Sequence, residues 1–395
     1  MKLLPLCLLL ALTFSSASAR SLKVDPVTGD DTQDGVAAAV KTIARAVSLA
    51  QPGDTVDLAP ATYYESVNLG SKHGLPGQPI TVDGHGAVID GSDPIIAAEW
   101  EALGGGLFRK TGVMPGTNRS YLGRWYFLWN GRMNRMGRTS KGPSATFKKV
   151  DELLADEWTY VEAEDAFYLK LPEGQKLDEA SIRCPIRANG VSLSRTGAHL
   201  VIRNLTCTHV YNDGFNVHGD QVDTVFENIA AIDCGDDGFS AHETGECRID
   251  GFTSMGNSTG LCDIGSSVTH YKNVFISGCH GHDIFFIGDT AHSMENVLVE
   301  SSAASAVTIG QGTLRPELAP CVVTFKNVLC RRAPGLPGAL KVNANSQLDV
   351  QQCTFIGLQT QVLGTGRLGL TESVICDVDS PLPGADAAGL EKLRR

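Results

Sequence analysis

The sequence predicts an all-β solenoid, a coil of short parallel strands in which each turn stacks on the one before. One observation is a repeat. Asn204-Leu205-Thr206 and Tyr211-Asn212-Asp213-Gly214-Phe215-Asn216-Val217-His218 are echoed by Asn228-Ile229-Ala230 and Cys234-Gly235-Asp236-Asp237-Gly238-Phe239-Ser240-Ala241-His242. The same 24 residues separate Asn204 from Asn228, Asp213 from Asp237, Phe215 from Phe239 and His218 from His242. A fixed period of this size marks a stacked-repeat architecture. A second observation is the marker that continues through Gly251, Asn273, Asn296, Asn327 and Gln352, as expected if side-chain amides bond along a column. The third is composition: 43 Gly and only 4 Trp in 395 residues suit many short strands joined by tight turns.

The chain opens on Lys2, an apolar run from Leu3 to Phe14, and the small residues Ala17-Ser18-Ala19. This is the pattern of a secretory signal, residues 1–19. It implies an exported protein, extracellular or periplasmic, whose mature part starts near Arg20. The run is too short to span a bilayer, and no later run is longer, so no membrane span is expected. A net charge of −11 argues against a nucleic-acid partner, which needs a basic footprint. The cysteines after Cys7 include no Cys-x-x-Cys pair. They are read as small apolar residues filling the interior, with no disulfide assigned.

In residues 20–94, Val40, Ile43, Ala44, Val47 and Ala50 share one face of a helix over Val36 to Leu49, which Pro52-Gly53-Asp54 ends. Such a helix suits an N-terminal cap, because the first coil has an unpaired edge. Short strands follow at Thr55 to Leu58, Glu65 to Leu69, Ile80 to Val82 and Ala87 to Ile89. Residues 95–187 break the pattern. They hold Trp100, Trp125, Trp129 and Trp158, a basic run from Arg132 to Lys149, and two alternating stretches, Glu157 to Tyr160 and Ala166 to Leu171. A small inserted β-rich subdomain is expected, its aromatics either stacking on sugar rings or forming an ordinary small core. Residues 188–380 are the main coil, and 381–395 read as a flexible tail.

The helix, the segment Pro52-Gly53-Asp54-Thr55-Val56-Asp57-Leu58-Ala59-Pro60, then Thr62-Tyr63-Tyr64-Glu65-Ser66 and Pro79-Ile80-Thr81-Val82-Asp83-Gly84 resemble the opening of secreted right-handed parallel β-helix proteins. Many of these are polysaccharide lyases or glycosidases. The resemblance implies a right-handed parallel β-helix and a polysaccharide partner.

Within each repeat, strand alternation sends Phe215 and Val217 inward and Asn216 and His218 outward. Stacking then aligns a column Asp213, Asp237, Thr259, His282, with Asp236 alongside, and a column His218, His242, Ile264, Ile287. Rungs lie about 4.8 Å apart. Stacked carboxylates repel, and one pKa rises unless a cation or donor sits between them. Alternatively, each Asp-Gly merely serves its turn. Paired carboxyls about 5–5.5 Å apart suit a retaining glycosidase, with Asp213 and Asp236 or Asp237 as nucleophile and acid. Glu243 is a further acid candidate.

Asn212-Asp213-Gly214-Phe215 followed by Asp236-Asp237-Gly238-Phe239 resembles the calcium-dependent pectate lyases of family nine. The resemblance implies Ca2+ held by Asp213, Asp236 and Asp237, and a lysine base one coil on. Ser240 stands where a fourth ligand is expected, and Gly260 to Gly265 contains no lysine. Lys341 has a similar local setting but lies about 19 Å away by strand spacing. His242, His218 and His282 are the candidate bases in its place, and Asp213 and Asp237 complete the candidate catalytic set. His280-Gly281-His282 is a possible transition-metal pair, and Lys272 and Arg248 are possible partners for substrate carboxylates. The leading reading is cation-assisted β-elimination on a uronate-containing polysaccharide. Glycoside hydrolysis by paired carboxylates and non-catalytic glycan binding stand beside it.

Overall fold

The structure, a computed structural model, describes residues 19–116, 118–289, 291–311, 320–333, 335–336, 338–377 and 384–394. The expected signal segment up to Ser18 lies outside the described residues, as do Pro381 to Pro383 and Arg395 of the expected tail.

Successive coils deposit strands alternately on two parallel sheets; the fold is the solenoid that the repeat predicts, in the right-handed parallel β-helix form that the resemblance implies. Among the described residues one sheet has 14 strands and the other nine. The nine-stranded sheet positions the site. It runs from Val67–Gly70 through Val191–Leu193, Phe215–Val217, Asp237–Ala241, Thr259–Asp263, His282–Phe286, Ser305–Ile309 and Ala339–Val342 to Gln359–Val362. Register stacks Phe215, Phe239, Leu261, Ile284, Val307 and Leu340 in one interior column, and all are fully buried.

The Asn marker has a backbone reason. Asn204, Asn228, Asn273, Asn296, Asn327 and Gln352 all have φ between 50° and 57°, and Gly251 has φ 78°. The chain bends there through the left-handed region, which Asn and Gly tolerate best. Amides then bond rung to rung: Asn228 Nδ2 donates to Asn204 Oδ1 at 2.9 Å, Asn296 to Asn273 at 3.2 Å and Asn327 to Asn296 at 2.9 Å. Gly214 and Gly238 have a different cause. A Cβ on Gly214 would lie 2.7 Å from Ala231 Cβ, and one on Gly238 2.5 Å from Ser254 Oγ. The Asp-Gly pairs are therefore fixed by close packing, and neither glycine has a positive φ.

The helix spans Ile43–Leu49, shorter than its sequence pattern suggests, with Thr42 as N-cap, and buries Ile43, Ala46 and Val47 in the core. The insertion, with Ser92–Pro94 just before it, forms two four-stranded antiparallel sheets among the described residues. Its core holds Trp100, Trp125, Phe127, Trp129, Trp158 and Phe167 and includes Tyr211 of the coil. Burial of all four tryptophans, Trp125 fully, removes them as sugar platforms and settles the two sequence readings in favour of an ordinary core. Residues 384–394 of the expected tail carry structure and pack on the coil. Ala387–Leu390 is helical and Glu391–Arg394 forms a 3-10 turn. Leu390 packs on Phe275, Leu298, Leu329 and Ile356, and Arg331 and Glu300 pair with Glu391 and Arg394. Nine cysteines, Cys207, Cys234 and Cys247 among them, are buried thiols.

Two carboxyls lie inside the coil. Asp263 occupies the interior column between Ala241 and Phe286, accepting from Thr269 Oγ1 at 2.7 Å, Tyr271 Oη at 2.9 Å and the Ala241 N–H at 3.0 Å. Burial outweighs these donors and raises its pKa to about 7. Burial likewise raises Asp283 to about 7, against the lowering effects of Ser301 and Arg332. A raised carboxyl pKa favours the protonated fold. Its stabilisation is complete below the ordinary aspartate range and is lost as pH rises through the folded pKa. The melting temperature should therefore fall as pH rises from about 4 and level off above about 7, each group accounting for roughly 4 kcal/mol across the full titration. Asp263→Asn should flatten the profile in a thermal-shift series. An unchanged slope would show that Asp263 is ionised in the fold.

Candidate active site

The expected columns form. Asp237, Thr259, His282 and Ser305 are in register, and the His218 and His242 rings stack at 4.0 Å with 16° between planes. Asp213, Asp236 and Asp237 each offer an oxygen within 4.8 Å of the others. All three line a groove of about 340 Å³ with Asn216, His218 and His242. They are at most 5 % exposed, so their charges need partners.

Those partners come from the insertion, and the sequence reading missed them. Lys141 Nζ lies 2.8 Å from Asp236 Oδ1 and 2.6 Å from Asp237 Oδ1. Arg124 Nη1 pairs with Asp236 Oδ2, and Ser140 Oγ donates to Asp236 Oδ1. The segment is held in place by its neighbours. The buried guanidinium of Arg135 donates to the carbonyls of Cys234, Gly235 (2.9 Å) and Gly256 (3.2 Å), in the coils that carry and follow Asp236. The Ser140 N–H donates to Ser258 Oγ at 3.0 Å. A Cβ on Gly281 would sit 2.0 Å from the Lys141 carbonyl oxygen, so this loop closes only over glycine. The basic run of the insertion is thus spent on the coil and on its own core: Arg138 stacks on Phe147 at 3.7 Å and Lys148 pairs with Glu157 at 2.5 Å.

The environment drives the three carboxyls apart. Burial pushes Asp236 up, but Lys141 and Arg124 overcome it and hold its pKa below the usual range. Burial and the charges of Asp236 and Asp213 raise Asp237 far above that range, although Lys141 opposes them. Burial and Asp236 raise Asp213 to about 6, against Lys141 and the Asn216 amide. Burial would lower the Lys141 ammonium, but Asp237 and Asp236 prevail and keep it above its ordinary value. Lys141 is therefore a fixed cation rather than a base.

The three expected calcium ligands are together, and most of their oxygens already accept hydrogen bonds from the protein. Asp213 Oδ1 accepts the Asp237 N–H at 3.1 Å, and Asp213 Oδ2 accepts Asn212 Nδ2 at 3.0 Å and Asn216 Nδ2 at 2.5 Å. Both Asp236 oxygens and Asp237 Oδ1 are occupied by Lys141, Arg124 and Ser140. Calcium needs 6–8 oxygens at 2.3–2.6 Å, and an ammonium already bridges the carboxylates. Ser240, at the expected fourth position, hydrogen-bonds His242 Nε2 at 2.7 Å and donates to the Cys262 carbonyl at 2.9 Å.

Of the histidines, His218 and His242 border the carboxylate groove, while His282 lines the next cavity along. Burial first, then His218, lowers His242 to about 4, and burial with Lys141 and Lys341 lowers His282 to about 4. Both are neutral near pH 7 and weakly basic. The His280–His282 metal pair fails: His280 faces a separate groove with Arg132 and Arg138, whereas His282 stacks on Phe285 at 4.5 Å. Glu243 fails as an acid. It is half exposed, pairs with His218 at 3.0 Å and accepts the Gly219 N–H at 2.9 Å; burial notwithstanding, those contacts lower its pKa. Arg248 and Lys272 lie on the other sheet and border a different groove.

No protein-family model and no curated sequence matches the chain. Solved structures do. XylC in complex with xylose aligns with a TM-score of 0.56 at 14% identity, over 89% of this chain and 72% of that one. A glycoside hydrolase aligns with a TM-score of 0.52 at 12% identity, over 94% of this chain and 100% of that one. Pectate lyase Pel9A aligns more loosely, at 0.49 and 15% identity, over 94% of this chain and 82% of that one. At these identities the likeness is one of fold, a parallel β-helix seen among carbohydrate-active proteins.

Proposed function

We propose that the protein is an exported glycoside hydrolase that works without a metal on a polysaccharide laid across the nine-stranded sheet. The observation that carries this reading is the lysine-bridged carboxylate cluster. One ammonium and one guanidinium hold the Asp236 pKa down, while burial and the Asp236 charge push that of Asp237 up. Neighbouring carboxyls whose environments separate their protonation mark an acid and a base. Asp237 is the proton donor to the leaving oxygen. Its Oδ2 has no protein donor among the described residues and borders the groove. Asp213 is the base or nucleophile, and Asp236 supplies fixed charge beside the developing oxocarbenium ion. The parallel with the solved glycoside hydrolase adds support through fold alone.

Elimination needs a base able to take a sugar C–H proton. The Asp236 and Asp237 charges hold the Lys141 pKa up and burial lowers that of His242, which supports the hydrolase reading over the lyase reading. The test is to incubate the protein with neutral glycans and polyuronates, with and without a chelator. New reducing ends with saturated sugars, at the same rate under chelation, are expected. Unsaturated products would assign elimination instead, loss of activity on chelation would restore a metal, and binding without turnover would leave a glycan-binding protein.

A further inference from the structure

A second cavity of about 410 Å³ continues the carboxylate groove along the same sheet, the two sharing Ile287. Its lining includes His282, Phe285, Thr308, Lys341 and Asn343. Leu340 and Val342 are fully buried, so alternation points Lys341 outward. In the same way Phe285 turns out between the buried Ile284 and Phe286. Register places Ser240, Cys262, Phe285, Thr308 and Lys341 on consecutive strands. Lys341 therefore lies about 19 Å along the groove from the coil that carries Asp237.

Three features of this cavity have no counterpart in packing. Among the described residues no carboxylate pairs with Lys341 or lines the cavity. The Thr308 hydroxyl, only 5 % exposed and in register with Lys341, has no hydrogen-bond partner, and neither has His282 Nδ1. The Phe285 ring, held parallel to His282 at 11°, presents a flat apolar face. Buried polar groups without partners cost stability. A cation, idle donors and an aromatic face in one concavity are what an acidic sugar requires.

We propose that this cavity is a subsite for a carboxylate-bearing sugar of an acidic glycan, with Lys341 and Thr308 binding the carboxylate and Phe285 carrying the ring. The inference rests on reading the neighbouring groove as a glycan site, and it names the substrate class: a uronate-containing chain long enough to reach both places. The overall charge of −11 makes the point sharper, since a polyanion needs such a local cation.

Binding on the Asp237→Asn background separates the subsite from catalysis. Calorimetry with hexagalacturonate, and with xylohexaose as the neutral control, reads the affinity. Lys341→Met is expected to weaken hexagalacturonate about tenfold, the scale of one charge-assisted hydrogen bond, and to leave xylohexaose unchanged. Thr308→Val should weaken hexagalacturonate in the same direction, and Phe285→Ala should weaken both ligands. Equal effects of Lys341→Met on both ligands, no effect on hexagalacturonate, or no hexagalacturonate binding to the parent would each overturn the subsite. Lys341-dependent binding with no turnover by the wild-type protein would keep the subsite and reject the hydrolase.

Discussion

Replacing Asp237 with Asn is expected to lower kcat on the responsive glycan by about a thousandfold, the scale of a lost general acid, while the protein folds normally. Burial and the Asp236 and Asp213 charges raise the Asp237 pKa, against Lys141, and in the proposed mechanism Asp237 enters the reaction protonated. An amide reproduces its shape and charge and can still accept from Lys141, now 2.6 Å away, but it has no proton to donate. Asp236→Asn should behave differently. It removes the anion that pairs both Lys141 and Arg124, leaving Arg124 without its carboxylate and Lys141 with Asp237 alone, so stability and activity should fall together. Far-ultraviolet dichroism and melting curves beside the rate assay distinguish the two. Full activity in Asp237→Asn would take this carboxyl out of the chemistry.

Lys141→Met should have the second large effect, and it should change the site's taste for metal. The substitution leaves Asp236 and Asp237 buried without their shared ammonium, at a cost of about 3 kcal/mol. Lys141 also holds the Asp213 pKa down to about 6. Without it that pKa rises, the base is protonated over more of the range, and the acid limb of the kcat profile should move to higher pH. The vacated space, walled by three carboxylates, then matches the oxygen-ligand chemistry of calcium. Calcium is expected to raise the melting temperature of the variant and leave the wild type unaffected. Stabilisation of the wild type by calcium would show that Lys141 is not the resident cation.

The coil was legible because its physics repeats. A left-handed bend at each Asn, an inward Phe and an outward polar residue recur at one period, so Asn204 and Asn228 or Phe215 and Phe239 announce each other. The same register brought Asp213, Asp236 and Asp237 together and stacked His218 on His242. What lay outside the period was not legible. The residue that neutralises the carboxylates sits far upstream in an insertion, and no repeat arithmetic connects Lys141 to Asp236. The adjacent coil, Gly260 to Gly265, carries no lysine. The one available signal was the dense basic run from Arg132 to Lys149 in an acidic chain. Glu243 was misread for a similar reason: its φ of 50° places it at a bend, where it meets His218 and solvent. His280 and His282 diverge because the strand begins only at His282, so alternation does not relate them. The tail's terminal position suggests flexibility and gives no sign that Leu390 meets an outward apolar column, Phe275, Leu298 and Leu329, assembled by three separate coils.

The most direct measurement is a carboxyl carbon NMR titration of aspartate-labelled protein, with Asp213→Asn, Asp236→Asn and Asp237→Asn assigning the signals. The expected result is three distinct behaviours: Asp236 titrating below the ordinary aspartate range, Asp213 near 6, and Asp237 above that range. If Asp236 and Asp237 both titrate as ordinary aspartates, no lysine-sorted pair of acid and anion exists, and the proposed hydrolysis loses its basis.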